Sequence, residues 1–237
     1  MKLGIFADVH GNKYAFEKVW NALKKEACDQ YVFLGDICGY YYSQNEIIEN
    51  LKGIKNIIMI KGNHDAMFLD MLNEPALEEQ YTQKYGLACR LLKASITPEN
   101  LEFLKRLPDH QIIKELQMGI FHGSPWDNLN EYIYPDTSLK NFEKLPYKYA
   151  LLGHTHHPMD RWAGSVRVIN PGSCGQPRDF NMPSYAVLDV TTNECQIKRV
   201  AYDVDKLIKD ILAHKEANPY LIDVLKRTQS HEVKTSV

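Results

Sequence analysis

Across 237 residues the chain has no surplus of positive charge: 28 Lys and Arg stand against 30 Asp and Glu, a formal net charge of −2. Long duplex partners draw on many Lys and Arg contacts, so extended nucleic-acid binding is not expected. Cysteine is sparse as well. Cys28, Cys38, Cys89, Cys174 and Cys195 are odd in number, far apart and without a Cys-x-x-Cys pair, which fits reduced thiols rather than a disulfide framework or zinc knuckle. Long apolar runs are missing. Stretches such as Ile57–Ile60 and Tyr149–Leu152 fall far short of the ~20 residues that span a bilayer, so no membrane crossing is expected. The opening Met1-Lys2-Leu3-Gly4-Ile5-Phe6-Ala7 turns polar at Asp8 and lacks the apolar length of a secretory signal, which points to the cytoplasm. Internal repeats, low-complexity runs and Ser/Gly-rich linkers are absent too. What is left, 44% apolar and 24% charged, can bury a sizeable core, and one domain over residues 1–237 is expected.

Lys2–Ala7, Tyr31–Leu34 and Asn56–Ile60 are short, apolar and rich in β-branched or aromatic residues, while the segments between them carry helical period. That alternation argues for a parallel βαβ sheet. Ser43 with Glu46 reads as a capping box before Ile47, Ile48 and Leu51, and Thr97-Pro98-Glu99 marks another helix start. Glu78–Ala94 reads as one longer helix. From Ile112 onward strands dominate, with Gln117–Phe121, Tyr149–Leu152, Val166–Asn170, Tyr185–Val190 and Gln196–Ala201 as candidates. Asp203 is set to cap an amphipathic helix through about His214, and Pro219–Arg227 forms a further turn or helix. The motif-bearing part thus spans about 1–200 and a helical tail about 203–237, with the polar residues after Arg227 expected to be disordered.

In an open parallel sheet, ligands bind beyond the carboxyl ends of the strands. Five apolar strands here deliver His, Asp or Asn at that exit: Asp8-Val9-His10, Gly35-Asp36, Gly62-Asn63-His64-Asp65, His122-Gly123 and Gly153-His154-Thr155-His156. A single Asp or His after a strand is usually a turn or cap residue. Taken jointly, the set reads as a metal site. Asp8 and His10 are two apart, where strand side chains share a face, and His154 with His156 repeats the spacing. Asp36 can bridge two ions through its two oxygens, Asn63 adds a carbonyl oxygen and His122 an imidazole. Seven mixed O and N ligands suit borderline ions such as Mn, Fe, Zn or Co rather than Ca.

These motifs, in this order, resemble those of the calcineurin-like metallophosphoesterases: D-x-H, G-D-x-x-[DG], G-N-H-[DE], a single His, and G-H-x-H. The resemblance runs from residue 3 to about 200 and implies a four-layer αββα sandwich, two mixed sheets flanked by helices. It also implies two divalent ions (Mn, Fe, Zn, Co or Ni, with Mn favoured), one on Asp8, His10 and His156, the other on Asn63, His122 and His154, with Asp36 between. His64 would stay unligated and face the substrate as a general acid or stabilising cation, with Asp65 orienting its ring. Paired ions suit phosphoester hydrolysis because they offset the repulsion between an anionic nucleophile and an anionic group, and they activate water.

Ile169-Asn170-Pro171-Gly172-Ser173-Cys174-Gly175-Gln176-Pro177-Arg178 is similar to a stretch of the small prokaryotic phosphodiesterase and diadenosine-tetraphosphatase-like branch, where it can bring Arg178 near phosphate. Phe121-His122-Gly123-Ser124-Pro125 and Gly35-Asp36-Ile37-Cys38-Gly39-Tyr40 fit the same branch. After Tyr40 the chain departs from the branch's usual Gly-Tyr-Gly-Pro and reads Tyr41-Tyr42-Ser43-Gln44. Exposed Tyr41 and Tyr42 at the cleft could stack a nucleobase; the bland alternative is that they pack the following helix or a contact between copies in a homo-oligomer. Trp126, Tyr132 and Tyr134 read as packing or lid residues, His157 as a loop neighbour, and His110, His214 and His231 as surface or cap residues. The leading expectation is a phosphoesterase for small phosphodiesters or nucleotides. A monoesterase or protein phosphatase of the same fold and a non-catalytic protein-binding scaffold are the alternatives; a scaffold would be expected to have lost part of the metal set, which is complete here.

Overall fold

A computed structural model describes residues 1–227; the residues after Arg227, expected to be disordered, and His231 with them, lie outside the described part. Ten strands form two five-stranded mixed sheets among these residues. In the first sheet β1 (Lys2–Phe6), β2 (Gln30–Phe33) and β3 (Ile57–Met59) run parallel, and β9 (Ser184–Asp189) and β10 (Glu194–Arg199) join antiparallel beside β1. In the second, β5 (Met118–Phe121), β6 (Tyr149–Leu151) and β8 (Val166–Pro171) are parallel. Their antiparallel edges are β4 (His110–Ile113) and β7 (Pro158–Ala163).

Leu3 and Ile5 of β1, Val32 of β2, Met118 and Ile120 of β5 and Leu151 of β6 meet in one buried core, so the sheets pack face to face. The outer face of the first sheet is covered by α1 (Lys13–Lys25), α2 (Gln44–Lys52), α3 (Asn63–Asn73), α5 (Ala88–Ser95) and α6 (Pro98–Arg106). Over the second sheet lies mostly irregular chain, whose Ile133, Leu139 and Phe142 fill the outer core. The four layers are therefore present, the fourth of them thin. No helix among the described residues is long and apolar enough to cross a membrane.

Thr97 accepts the Asn100 N–H at 3.2 Å and Asp203 the Lys206 N–H at 3.4 Å, the caps expected for α6 and for α7 (Val204–Ala213). Two local expectations fail for visible reasons. Glu46 pairs with Lys13 at 3.0 Å instead of closing a capping box, and Ser43 makes no side-chain cap. The single helix over Glu78–Ala94 is in fact two, α4 (Ala76–Tyr85) and α5, because Gly86 at φ +88° turns the chain between them. The remaining helix, α8 (Tyr220–Asp223), packs with α7 against Tyr40 and Tyr41.

Candidate active site

The five strand exits converge at one end of the two sheets, and Asp8, His10, Asp36, Asn63, His122, His154 and His156 are all buried there. They are brought together by turns rather than by strand pleat. Asp8, His10, Asp36, His154 and His156 all have positive φ, between 48° and 66°, so the expectation that residues two apart share an extended face is replaced by alternating left-handed turns. Such backbone costs roughly 1–3 kcal/mol per non-glycine residue and persists where surrounding bonds over-determine it. Here they do: the Val9 and His10 N–H groups both donate to the Asp36 carbonyl, at 2.9 and 3.0 Å, and Asp8 N–H donates to Gly35 at 3.0 Å.

Ring orientation is fixed by backbone carbonyls. Nδ1–H of His10 donates to Cys38 at 2.8 Å, that of His122 to Leu34 at 2.7 Å and that of His156 to Gln176 at 2.6 Å, which leaves each Nε2 free to face the cluster. His154 differs, because its Nε2 faces the Asn130 carbonyl at 3.2 Å and Nδ1 is the nitrogen left over. Inside, Nε2 of His10 and His156 stand 2.9 Å apart. Asp36 Oδ2 lies 3.6 Å from His10 Nε2 and 3.3 Å from His122 Nε2, and Asn63 Oδ1 lies 3.0 Å from His122 Nε2.

Two donor groups result, Asp8-His10-Asp36-His156 and Asp36-His122-His154, sharing Asp36. Oδ2 of Asp8 and of Asp36 are buried and find no hydrogen-bond partner among the described residues. Buried carboxylate oxygens are rarely left so, and cations are the partners that suit them. The residues fit a divalent metal centre. Burial pushes Asp8 up to about 8, against the pull of His122 and with that of Asp36. Burial likewise holds His10 and His154 down at about 3, as the neutral imidazoles a metal requires. His122 is the exception: Asp36 and Asp8 outweigh its burial and push it up to about 9.

His64 is buried beside this cluster, its ring 4.9 Å from His10, 5.0 Å from Tyr40 and 4.7 Å from Tyr85. Burial first, then Arg178 and His122, lower it to about 4 against the attraction of Asp36. Asp65 does not orient the His64 ring. Its carboxylate instead accepts the backbone N–H groups of Asp36, Ile37, Cys38 and Gly62 at 2.8–3.0 Å, and so holds the loop that carries Asp36. An Asp in the first turn of α3 is well placed to do this, but nothing in the motif tells which of the two tasks it takes.

Arg178 donates from Nη2 to the Tyr40 hydroxyl at 3.0 Å, while its Nε is buried without a partner among the described residues. Tyr41 and Tyr42 are not exposed stacking platforms. Tyr41 is 0% exposed and donates to the Leu221 carbonyl at 3.3 Å, and Tyr42 stacks on His214 at 4.0 Å, because α7, α8 and the turn between them cover that loop. The exposed ring at the site is Tyr132, 47% exposed and 3.9 Å from His154, with Tyr134 stacked on it at 5.7 Å. Tyr85, beside His64, went unnoticed in the sequence because it follows no motif.

The family model for the calcineurin-like phosphoesterase superfamily domain matches residues 1–193. The chain belongs to the calcineurin-like phosphoesterase superfamily. It is 31% identical to the uncharacterized protein MJ0912 of Methanocaldococcus jannaschii over 90% of this chain and 93% of the relative. It is 25% identical to the phosphodiesterase YfcE of Escherichia coli K12, over 80% and 88% respectively. A metallophosphoesterase structure from Sphaerobacter thermophilus superposes with a TM-score of 0.80 at 26% identity, covering 95% of this chain and 98% of that one. The chain is a hydrolytic phosphoesterase of this metal-dependent superfamily, and it shares the fold of the Sphaerobacter thermophilus structure.

Proposed function

We propose that this phosphoesterase is binuclear and hydrolyses small phosphodiesters or nucleotides. The observation that carries the proposal is the pair of buried donor groups sharing Asp36, whose Oδ2 faces His10 and His122 but accepts no hydrogen bond among the described residues. One ion would be held by Asp8, His10 and His156 and the other by Asn63, His122 and His154, with Asp36 common to both. The mixed imidazole, carboxylate and amide donors suit Mn, Fe, Zn or Co, and the likeness to the calcineurin-like family makes Mn the metal to supply first. When bound, the ions supply an activated water and offset phosphoryl charge.

The chain's own groups do the rest. Asp65 fixes the Asp36 loop, and the Cys38, Leu34 and Gln176 carbonyls aim three imidazoles. His64 is the imidazole of the cluster not needed as a ligand; the negative charge of a bound phosphoester works against the burial that holds it near 4, and the imidazolium then delivers its proton to the departing alkoxide. Arg178, whose buried Nε is free to donate, binds a phosphoryl oxygen. Tyr132 and Tyr85 flank this floor, next to His154 and His64, and favour a planar aryl or nucleobase substituent over a bare phosphate.

The test compares kcat/KM for bis-nitrophenyl phosphate and a dinucleoside tetraphosphate with nitrophenyl phosphate, in the Mn-loaded protein. The diester and dinucleotide are expected to win. A tenfold advantage for the monoester would contradict the substrate assignment. In Tyr132→Ala the ratio of nucleotide to dimethyl phosphate turnover is expected to fall ~10-fold, within the 1–3 kcal/mol that a stacked base is worth.

A further inference from the structure

The 203–227 segment lies beyond the residues matched by the family model, yet it touches the elements that carry His64's neighbours. Glu216, between α7 and α8, is the centre of these contacts. Its Oε2 accepts the Leu87 N–H at 2.7 Å and the Tyr42 hydroxyl at 3.4 Å, while Oε1 accepts the Asn218 N–H at 3.0 Å. Leu87 opens α5, so the carboxylate takes up an amide that the helix itself leaves unpaired, at the end where a negative charge is favoured. The approach is close: a Cβ on Gly86 would come within 2.6 Å of Glu216 Oε2, so glycine at this corner makes room for the contact as well as turning the chain. On the other side of the corner, Tyr85 is the last residue of α4 and its ring rests 4.7 Å from His64. α4 itself buries no residue. It is held along its length by Glu78 and Glu79 pairing with Arg90 and Lys93 of α5 and by the half-buried Tyr81 and Tyr85, while its carboxyl end, which carries Tyr85, meets Glu216 at the corner.

We infer that Glu216 is a positioning residue for catalysis, pinning the α4–α5 corner so that Tyr85 holds His64 toward the substrate. The kinetic consequence rests on the phosphoesterase reading with His64 as acid; the structural consequence does not. Glu216 is far along the chain from the metal motifs and bonds none of the seven ligand candidates, so its loss reaches His64 and spares the ions.

The experiment pairs Glu216→Ala with Glu216→Gln in the full chain, using Mn content, amide hydrogen exchange over residues 84–92, and kcat/KM for an alkyl and a nitrophenyl diester. In Glu216→Ala, exchange at Leu87 and the corner is expected to rise and kcat/KM to fall about tenfold, with the larger loss on the alkyl ester, which needs the proton. Mn content is expected to stay at the wild-type value. Glu216→Gln keeps an oxygen that accepts the Leu87 N–H, and it is expected to recover most of both effects. The inference is overturned if Glu216→Ala leaves exchange at the corner unchanged, if its kcat/KM stays within twofold of wild type, if both esters lose equally, or if Mn is lost in parallel. Should the Mn-loaded wild type hydrolyse neither ester, the phosphoester reading fails, and the exchange result alone judges the clamp.

Discussion

The floor of the site and its rim are held in different ways. On the floor, main chain bonds to main chain, with the Asp65 carboxylate adding to it: Asp8 N–H to Gly35, Val9 N–H to Asp36, Cys174 N–H to Ala7, Gly153 N–H to His122, each within 3.0 Å. At the rim, side chains from distant segments do the holding, as Arg178 on Tyr40, Tyr41 on Leu221 and Glu216 on Leu87. Backbone bonding depends on loop shape, so it survives most substitutions and leaves a recurring motif. Side-chain bonding depends on single residues, and it can be changed without touching the seven ligand candidates. Metal binding on the floor and the arrangement of the rim can therefore vary independently.

The largest effect expected is on the floor. Asp36→Asn should lower turnover by roughly 10³-fold or more, the several kcal/mol of charge stabilisation that a metal pair supplies, and should lose at least one metal equivalent. Elemental analysis beside kcat measures both. Next, His64→Ala should cut kcat by ~10²–10⁴-fold with metal content intact, and less for a nitrophenyl leaving group that departs without a proton. Equal losses for alkyl and nitrophenyl esters would remove His64 from the acid role. Asp65→Asn trades a carboxylate that holds four amides for a weaker acceptor, and roughly 10–100-fold in metal affinity is expected to go with it, read by titration with Mn. The smallest effect belongs to the rim's outer packing. Tyr41→Phe removes a buried hydroxyl bonded to Leu221 and Gln176, so denaturant melts should show a loss of ~1 kcal/mol, while selectivity between esters stays where it was.

How much of this was legible in the sequence follows the same division. The strand exits and all seven ligand candidates stood out because each motif is a short polar loop after an apolar strand, and the two sheets came with the resemblance those motifs carry. Left-handed backbone at Asp8, His10, Asp36, His154 and His156 was not legible, since only the assembled loops force non-glycine residues into it. β7 was missed as well. It is an edge strand that begins at Pro158 and exposes Asp160 and Arg161 in part, so its apolar pattern is weak. For Tyr41 and Tyr42 nothing local decides between stacking a base and packing, because the α7 and α8 that cover them come more than 160 residues later. Asp65 was given to His64 by proximity in the motif, whereas four amides from the neighbouring loop and turn compete for it and win.

The claim on which the rest depends is that seven side chains hold two ions around Asp36. Titrating the metal-stripped protein with Mn, and following bound metal and hydrolysis of bis-nitrophenyl phosphate together, tests it directly. The expected result is saturation at two equivalents per chain, with activity appearing as the second fills. Saturation at one equivalent with full activity, or full activity in the stripped protein, would contradict the account.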